Sequence, residues 1–378
     1  MTHHTADVII IGAGIAGAAA AYELSQDRSV ILSEREDQPG YHATGRSAAV
    51  TSSTSGHRAV CALAEASRHF LMSPPSGFVD QPLLHDRGLL WVADHDHQQL
   101  LTELEVAAQQ LGVQTNRCTT LESQQLVPWL NEPWAAHAVH EPKAMSIDVA
   151  LLLGGYIAGA RSQSTNLISG AEVLGAQRQG RMWTVTTTQG ECVAPVIVNA
   201  AGAWGDAVAK ACGVEPVGLT PMRRSVYVFA IDGVSNWPLV MDIGGLFYFE
   251  PEGPGLLVSP ADETHVEPHD AQPDDMAIAR SVDTLAEVLG VQVRGVRSRW
   301  AGLRTFAPDR QPVVGPDDAV EGFHWLVAQG GAGIKTAPAM ATLLRSLLDD
   351  EPLPLELATF EFIIDDVSVQ RLRGNYRS

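Results

Sequence analysis

The sequence is short of positive charge. Its 378 residues include 25 lysines and arginines against 44 aspartates and glutamates, which gives a formal net charge of -19 at pH 7. A surface this acidic is repelled by phosphate backbones and by anionic lipid headgroups. The composition therefore argues against nucleic acid as a partner and against binding to an anionic membrane surface.

Cysteine and long apolar runs are also scarce. The four cysteines show no C-x-x-C pair, and we expect reduced thiols in or near a core rather than a disulfide framework. The thirteen histidines show no spacing typical of zinc, so no metal is expected. No apolar run reaches the roughly 18 residues that a membrane-spanning helix needs, and no secretory signal pattern precedes the first strand. A soluble, cytoplasmic protein is the expectation.

The N-terminal segment has the pattern of a doubly wound parallel sheet. Val8–Ile11 is an apolar run typical of a strand that is buried on both faces. A glycine-rich turn, a helix of small residues over Ala16–Leu24 and a second strand over Ser29–Glu34 follow it. This order is the opening of a dinucleotide-binding α/β domain.

The turn Gly12–Gly17 reads Gly-Ala-Gly-Ile-Ala-Gly, which is the G-x-G-x-x-G pattern. The first glycine permits a tight turn, the second lets backbone N–H groups approach a pyrophosphate, and the third lets the helix pack on the strand. The helix N-terminus offers its partial positive charge to the phosphates. Glu34 closes the next strand, where its carboxylate can accept hydrogen bonds from ribose hydroxyls. The pattern predicts a dinucleotide site and leaves FAD and NAD as alternatives.

Two further segments favour FAD. Gly40–Ala49 follows soon after Glu34 and has small residues that allow a flat ring to lie on the backbone. Gln329–Thr336 is a second glycine turn before a helix, and Lys335 adds a positive charge to it. Such a site can stabilise the negative charge that a reduced flavin develops at N1 and O2. A NAD dehydrogenase does not require this second turn.

With these motifs the chain resembles the D-amino-acid oxidase family of flavoproteins, which includes glycine and sarcosine oxidases. The resemblance extends over essentially the whole length and is closest to the D-arginine dehydrogenase branch. It rests on six motifs in the same order, namely Gly12–Gly17 with Glu34, Gly45-Arg46-Ser47, Asn199–Trp204, Trp300–Asp309, Pro312–Gly315 and Gly330–Lys335. The match to the branch is carried by Pro39–Ala49, Arg223-Arg224-Ser225 and Phe247-Tyr248.

The resemblance implies noncovalent FAD, because the chain lacks the cysteine motif through which sarcosine oxidases attach their flavin. It also implies that the backbone of Val173 contacts the adenine. The residues expected to bind the cofactor are Gly12, Gly14, Ile15, Ala16, Gly17, Glu34, Arg35, Ala43, Thr44, Gly45, Arg46, Ser47, Ala48, Ala49, Val50, Val173, Ala201, Gly202, Trp204, Gly302, Gly330, Gly331, Ala332, Gly333, Ile334 and Lys335.

The resemblance further implies a substrate site. Arg304 matches the arginine that grips the substrate carboxylate, a task suited to a planar guanidinium. Tyr248 matches an active-site tyrosine that hydrogen-bonds the substrate. A second arginine, Arg223 or Arg224, precedes a strand in which successive residues face opposite sides, so only one of the two can enter the pocket. The match to the branch favours Arg224.

The match to D-arginine dehydrogenase breaks at the substrate side chain. Leu89 stands where that branch has a glutamate that holds the substrate guanidinium, Val50 where it has a histidine beside the flavin, and Ser55 near its lid tyrosine. A buried guanidinium without an anionic partner is costly. We therefore expect D-arginine to be a poor substrate and a neutral side chain to be preferred, beside Leu89 and Trp91.

These inferences predict an α/β fold with a Rossmann-like FAD-binding domain on a parallel sheet, interleaved with an α+β substrate domain on an antiparallel sheet. The FAD-binding domain is expected over 1–80, 140–215 and 295–378, and the substrate domain over 81–139 and 216–294. The expected reaction is oxidative deamination of a D-amino acid with a neutral side chain. Hydride passes from Cα to flavin N5, and the imine then gives a 2-keto acid and ammonia.

Two alternatives stay open. The same motifs fit an oxidase or dehydrogenase of glycine, sarcosine or another secondary amino acid, because stereochemistry is not readable from the sequence. They also fit a flavin-binding subunit of a larger complex. The electron acceptor is either O2 or an acceptor of the quinone or dye type.

Overall fold

A computed structural model describes residues 2–54, 56–293 and 295–373. Strands and helices are numbered in chain order. The central sheet has six strands, in the spatial order Val313–Pro316 (β20), Phe323–Val327 (β21), Val196–Asn199 (β13), Val8–Ile11 (β2), Val30–Ser33 (β3) and Thr165–Ile168 (β9). Neighbouring strands are parallel except for β20 and β21. The predicted doubly wound parallel sheet is therefore confirmed.

Four helices cover this sheet and bury its apolar side chains: Ile15–Leu24 (α1), Arg58–Met72 (α2), Val149–Gln163 (α5) and Gly333–Leu348 (α8). Four alanines of α1, at positions 18–21, are fully buried, which lets α5 and α8 pack close to it. Ile10, Leu63 and Leu343 join them in one core. This packing fixes where α1 and α8 begin, and both beginnings face the same cavity.

A four-stranded sheet lies beside the central one, in the order His3–Thr5 (β1), Gly190–Ala194 (β12), Met182–Thr187 (β11) and Val173–Gln179 (β10). The pattern over Trp183–Ala200 predicts a hairpin of two strands. The structure shows that β11 and β12 form the hairpin, while the last apolar run leaves it and enters the central sheet as β13. The buried apolar character of β13 is typical of a central parallel strand.

The third sheet has nine strands. Its path runs Thr264–His265 (β18), Thr220–Phe229 (β14), Gly255–Ser259 (β17), Tyr248–Glu252 (β16), Leu239–Asp242 (β15), Leu89–Val92 (β5), Ala138–Glu141 (β7) and Asn116–Cys118 (β6), and Val296–Phe306 (β19) pairs with β14. Its pairs are antiparallel, as predicted, except for β5 with β15. Helix α7, Asp275–Leu289, packs on one face, and the cavity lies against the other.

The remaining elements are peripheral. Leu84–Asp86 (β4) pairs with Met145–Ile147 (β8), and the other helices are Gln98–Gln110 (α3), Thr120–Leu126 (α4), Gly205–Ala211 (α6), Leu355–Ala358 (α9) and Gln370–Arg373 (α10). Strand β19 lies within the segment 295–378 yet joins the nine-stranded sheet, and the predicted domain division stays a prediction. Among the described residues, no helix combines the length and the apolar character needed to span a membrane.

Candidate active site

The first glycine turn joins β2 to α1. Gly12 has a φ of +103°, and a Cβ on it would lie 2.6 Å from the carbonyl oxygen of Ala200. A Cβ on Gly17 would lie 1.9 Å from the carbonyl oxygen of Gly12. These distances exclude a side chain at either position, because no side chain has room so close to backbone atoms. The turn is therefore built for close approach of backbone groups.

Glu34 follows β3 and lies against this turn. Its buried carboxylate accepts hydrogen bonds from the backbone N–H groups of Ala13 at 2.7 Å and Glu36 at 2.9 Å. A carboxylate offers about four lone-pair sites, so acceptor capacity remains for the hydroxyls of a ligand. The guanidinium of Arg35 stacks over the Trp204 ring, with its Cζ 4.9 Å from the ring centroid. Glu34, Arg35 and Trp204 all line one end of the cavity.

The loop over 43–50 runs from the first turn to the nine-stranded sheet. Thr44 Oγ1 accepts a hydrogen bond from the N–H of Ile15 at 3.0 Å, which ties the loop to the start of α1. Arg46 donates to the carbonyl oxygen of Ala301 on β19 at 2.9 Å. The guanidinium of Arg46 therefore holds the loop against the nine-stranded sheet.

The second glycine turn precedes α8. A Cβ on Gly330 would lie 2.3 Å from the Phe306 ring, and a Cβ on Gly331 would lie 3.1 Å from Cζ of Arg304. Lys335, in the first turn of α8, is buried, and its Nζ donates to the carbonyl oxygen of Ser52 at 2.6 Å. Burial lowers the pKa of Lys335. The helix start and this ammonium place positive charge in the cavity wall.

Both turns open into one cavity of about 690 Å³, and the nine-stranded sheet forms its far wall. In the register of β14 and β19, Arg224 lies opposite Gly302 and Met222 opposite Arg304. Because alternate residues of a strand share a face, Arg224 and Arg304 project from the same side of the sheet. Tyr248 on β16 joins them, with its ring centroid 5.8 Å from Cζ of Arg304 and 5.9 Å from Cζ of Arg224.

The two arginines differ in how their charges are balanced. Arg224 is buried, and it donates to the carbonyl oxygen of Asp262 at 2.9 Å and to the carboxylate of Glu263 at 3.0 Å. Burial, together with the charge of Arg304, lowers the pKa of Arg224 to about 10. Within the described residues, Arg304 makes no side-chain hydrogen bond and no ion pair, although it lines the cavity. Its donors are therefore available to an anion.

Arg223 does not line the cavity, which corrects the expectation that either arginine could enter it. It projects from the opposite face of β14, where its guanidinium lies 2.8 Å from Asp274 and 3.7 Å from Asp262. The reason is the alternation of side chains along a strand. Arg223 links β14 to the start of α7 and is not placed to touch a substrate.

Comparison with known proteins assigns the family. Residues 7–347 match the family model described as DAO, FAD dependent oxidoreductase. The chain belongs to this family. Hydrogen cyanide synthase subunit HcnC of Pseudomonas aeruginosa is 24% identical over 95% of this chain and 96% of its own. Human mitochondrial sarcosine dehydrogenase is 24% identical over 87% of this chain, which spans only 38% of that relative's length.

Solved structures share the fold of this DAO family member. Glycine oxidase from Geobacillus kaustophilus superposes with a TM-score of 0.83 at 21% identity, covering 94% of this chain and 98% of its own. L-proline dehydrogenase from P. horikoshii gives a TM-score of 0.82 at 18% identity, covering 95% and 99%. These structures confirm the predicted fold class, and the family match confirms the FAD-dependent chemistry.

The cavity fits FAD. Two glycine turns that exclude side chains line it, and each precedes a helix, as a pyrophosphate and an anionic ring edge require. The side-chain amide nitrogen of Gln329 is buried at the second turn without a hydrogen-bond partner in the described parts of the chain. The four cysteines, Cys61, Cys118, Cys192 and Cys212, are buried away from the cavity lining, so none is placed for a thioether link to flavin.

The structure brings most of the predicted cofactor residues to this cavity. Two lie behind its wall, Gly17 in the packing of α1 and Gly45 in the turn with Gly40. The lining residues are Gly12, Gly14, Ile15, Ala16, Glu34, Arg35, Ala43, Thr44, Arg46, Ser47, Ala48, Ala49, Val50, Val173, Ala201, Gly202, Trp204, Gly302, Gly330, Gly331, Ala332, Gly333, Ile334 and Lys335. That they hold FAD stays a prediction.

Leu89 and Trp91 do not line the cavity, contrary to the expectation that they contact the substrate side chain. Strand β15 separates β5 from β16, so Leu239 opposite Leu89 and Met241 opposite Trp91 line it instead. Position 89 is thus one strand too far from the cavity. Ser55, expected near a lid position, lies outside the described residues.

Sequence reasoning missed several residues that line the cavity. Glu250 follows Tyr248 by two positions in β16, and strand alternation could have placed both on one face. Gln329 opens the second glycine turn. No sequence pattern predicts that Glu263 and Arg310 line the cavity, because their ion pair, with 2.9 Å between nitrogen and oxygen, is a tertiary contact. Among the described residues, no group of three or more His, Cys, Asp or Glu side chains could hold a metal ion.

Proposed function

We propose that this protein oxidises the amine of a D-amino acid with a neutral side chain, with FAD taking up the electrons. One observation carries the proposal. The guanidinium of Arg304 faces the cavity with its donors unused by the described residues, and a Cβ on Gly331 of the second glycine turn would lie 3.1 Å from its Cζ. A carboxylate bound there lies next to the cofactor end of the cavity.

The positive charge of Arg304 and Arg224 favours a substrate that carries a carboxylate. Two guanidinium groups flank one tyrosine ring, and among the residues that the structure describes only Arg224 has a carboxylate partner, Glu263. A half-buried cation without a counter-ion is costly, and an α-carboxylate removes that cost through bidentate hydrogen bonds. The hydroxyl of Tyr248 makes no hydrogen bond within the described residues and is available to the same ligand.

The apolar lining supports a neutral side chain. Val50, Val226, Leu239 and Met241 line the cavity around Tyr248. Burying a charged side chain against them without a counter-ion would cost several kcal/mol, whereas an uncharged one gains from burial. The D configuration rests on the sequence resemblance to the D-arginine dehydrogenase branch.

The chain contributes mainly position and charge. When bound, FAD supplies a two-electron acceptor for the hydrogen at the substrate Cα. Arg304 and Arg224 fix the carboxylate, and Tyr248 limits rotation about it. Holding two reactants in productive geometry lowers a barrier by up to about 7–11 kcal/mol. The ammonium of Lys335 adds positive charge to the wall. The imine product hydrolyses in water to a 2-keto acid and ammonia.

Anaerobic mixing tests the proposal. The purified holoprotein is mixed with D-, L- and N-methyl amino acids, and the flavin absorption band is followed. We expect neutral D-amino acids to bleach the band and D-arginine to bleach it poorly. Readmission of air then shows whether O2 or a quinone or dye-type acceptor reoxidises the flavin. Bleaching by D-arginine or D-lysine ahead of all neutral substrates would overturn the proposed side-chain class.

A second candidate is oxidation of glycine, sarcosine or another secondary amino acid. The names of the relatives favour it, since they include sarcosine dehydrogenase, glycine oxidase and L-proline dehydrogenase. In the same panel this candidate predicts bleaching by glycine, sarcosine or proline ahead of D-alanine.

A third candidate is a flavin-binding subunit of a larger complex. It is favoured by HcnC, which is named as a subunit and matches this chain from end to end. This candidate predicts that the isolated protein fails to turn over any amino acid in the panel, although it retains its flavin.

A further inference from the structure

On the wall formed by the nine-stranded sheet, Glu250 is an acidic side chain in addition to Glu263, which pairs with Arg224. Glu250 lies two residues after Tyr248 on β16 and is 9% exposed. It lines the cavity, yet makes no hydrogen bond within the described residues. The nearest cation is Arg87, whose Nε lies 3.9 Å from the Glu250 carboxylate and donates to Ser146 Oγ at 3.1 Å. Nothing in the proposed chemistry uses this carboxylate.

The register places Glu250 away from the carboxylate anchor. Tyr248 lies opposite Ser259, and Glu250 lies opposite Leu257, further from the Arg224 and Arg304 end of the sheet face. Consecutive residues on one face of a strand are about 7 Å apart. A ligand whose carboxylate meets Arg304 therefore passes Tyr248 before its far end reaches Glu250.

We infer that Glu250 is a specificity-determining residue that accepts a hydrogen bond from a hydroxyl or amide N–H group at the end of a neutral substrate side chain. This inference rests on the proposed function, since it assumes a ligand anchored by its carboxylate at Arg304. It narrows the proposed substrates to amino acids whose neutral side chain ends in a polar group. The rest of that side chain would lie against Leu239 and Met241.

The neighbouring cation argues for a neutral partner rather than a cationic one. Arg87 offsets part of the charge of Glu250, and a substrate ammonium would have to share one carboxylate with a guanidinium. Burial raises the pKa of Glu250 to about 7, so a neutral form is accessible at physiological pH. An uncharged amide can bond to either form, by donating to the carboxylate or by accepting from the acid.

Matched substrates test the inference on the holoenzyme. kcat/KM is measured for both enantiomers of glutamine, of its apolar analogue homoleucine and of lysine. The proteins compared are the wild type, Glu250→Leu, Glu250→Gln and the control Glu252→Gln. Glu252 is on the same strand but exposed and outside the cavity lining. We expect Glu250→Leu to lose about 10- to 100-fold on glutamine and to change little on homoleucine. Glu250→Gln is expected to keep most of the glutamine activity.

Two results would overturn the inference. One is an equal loss on glutamine and homoleucine in Glu250→Leu, which indicates a structural role. The other is lysine as the best wild-type substrate, with that preference abolished in Glu250→Gln, which indicates a cation site.

A binding titration separates this inference from the proposed function. If no amino acid bleaches the flavin, the proposed function fails, and glutaramate and 5-methylhexanoate are titrated against the flavin spectrum instead. Tighter wild-type binding of glutaramate, reversed in Glu250→Leu, supports the inference. Equal binding of both compounds by wild type overturns it.

Discussion

Arg304 and Arg224 approach the Tyr248 ring with their guanidinium carbons at 5.8 Å and 5.9 Å from its centroid. Each contact gains about 0.5–2 kcal/mol as a cation–π interaction, but the two cations repel each other. Glu263 compensates Arg224, and no described residue compensates Arg304. Among the described residues the arrangement is therefore incomplete without an anion, which is why we propose that the substrate carboxylate binds at this end of the cavity.

Replacing Arg304 by alanine tests the anchor. We expect kcat/KM on the best amino acid to fall by about 100- to 1,000-fold, because each lost charge-assisted hydrogen bond costs about 1.5–3 kcal/mol. The loss should appear mainly in KM, and the flavin spectrum should be retained. Arg223→Ala is the matched control, since Arg223 is a neighbour of the site on the other face of β14, and near-normal kinetics are expected. Comparable losses in the two variants would contradict the assignment.

Gly12→Ala tests the first glycine turn. A Cβ at this position would lie 2.6 Å from the Ala200 carbonyl oxygen, so the turn must open or β13 must shift. We expect the purified variant to retain little FAD and to unfold at a lower temperature than wild type. Gly77→Ala is the control, because Gly77 has a φ of +83° but nothing within 4 Å of its missing Cβ. Equal FAD retention by the two variants would contradict the close approach of the Ala200 carbonyl oxygen as the reason for glycine at position 12.

The nucleotide-binding half of the fold was readable from the sequence because its signals are local. The apolar run Val8–Ile11, the glycine turn and the helix after it lie within one short segment, and each glycine has a steric reason. The course of Trp183–Ala200 was not readable, since a hairpin strand and a central parallel strand are both short and apolar. The choice between them depends on the pairing of β13 with β2 and β21, which is a tertiary contact.

The substrate wall was only partly predictable for a related reason. Alternation along β14 predicts that one of Arg223 and Arg224 faces the cavity, and the register with β19 selects Arg224. The position of Leu89 in the sequence gave no indication that β15 lies between it and the cavity. The sequence of one strand does not determine its neighbours in the sheet. The sequence alone therefore does not show that Leu239, Met241 and Glu250 line the cavity and that Leu89 does not.

The pKa of Glu250 predicts a pH-dependent stability difference. Below its ordinary pKa of 4.5 the residue is protonated in both the folded and the unfolded state and does not change the free energy of unfolding. As the pH rises from there to about 7, Glu250 ionises in the unfolded state first, so the free energy of unfolding decreases. Glu250→Gln has no such loss. We expect the free energy of unfolding of Glu250→Gln, relative to wild type, to increase by at most about 3 kcal/mol between pH 4.5 and pH 8. Urea unfolding measures it, with Glu103→Gln, at an exposed glutamate of α3, as the control. A difference that stays constant with pH would contradict the burial of the Glu250 carboxylate.

Lys335→Met tests whether the buried ammonium acts on the cofactor. Nζ of Lys335 lies in the cavity wall at the start of α8, and its positive charge favours an electron-rich cofactor over an oxidised one. Its removal should lower the midpoint potential of the bound flavin by tens of millivolts, since about 30 mV corresponds to 1.4 kcal/mol for a two-electron couple. Equilibration with redox dyes measures the potential, and Lys210→Met, at an exposed lysine of α6, is the control. An unchanged potential in Lys335→Met would contradict an action of the ammonium on the flavin.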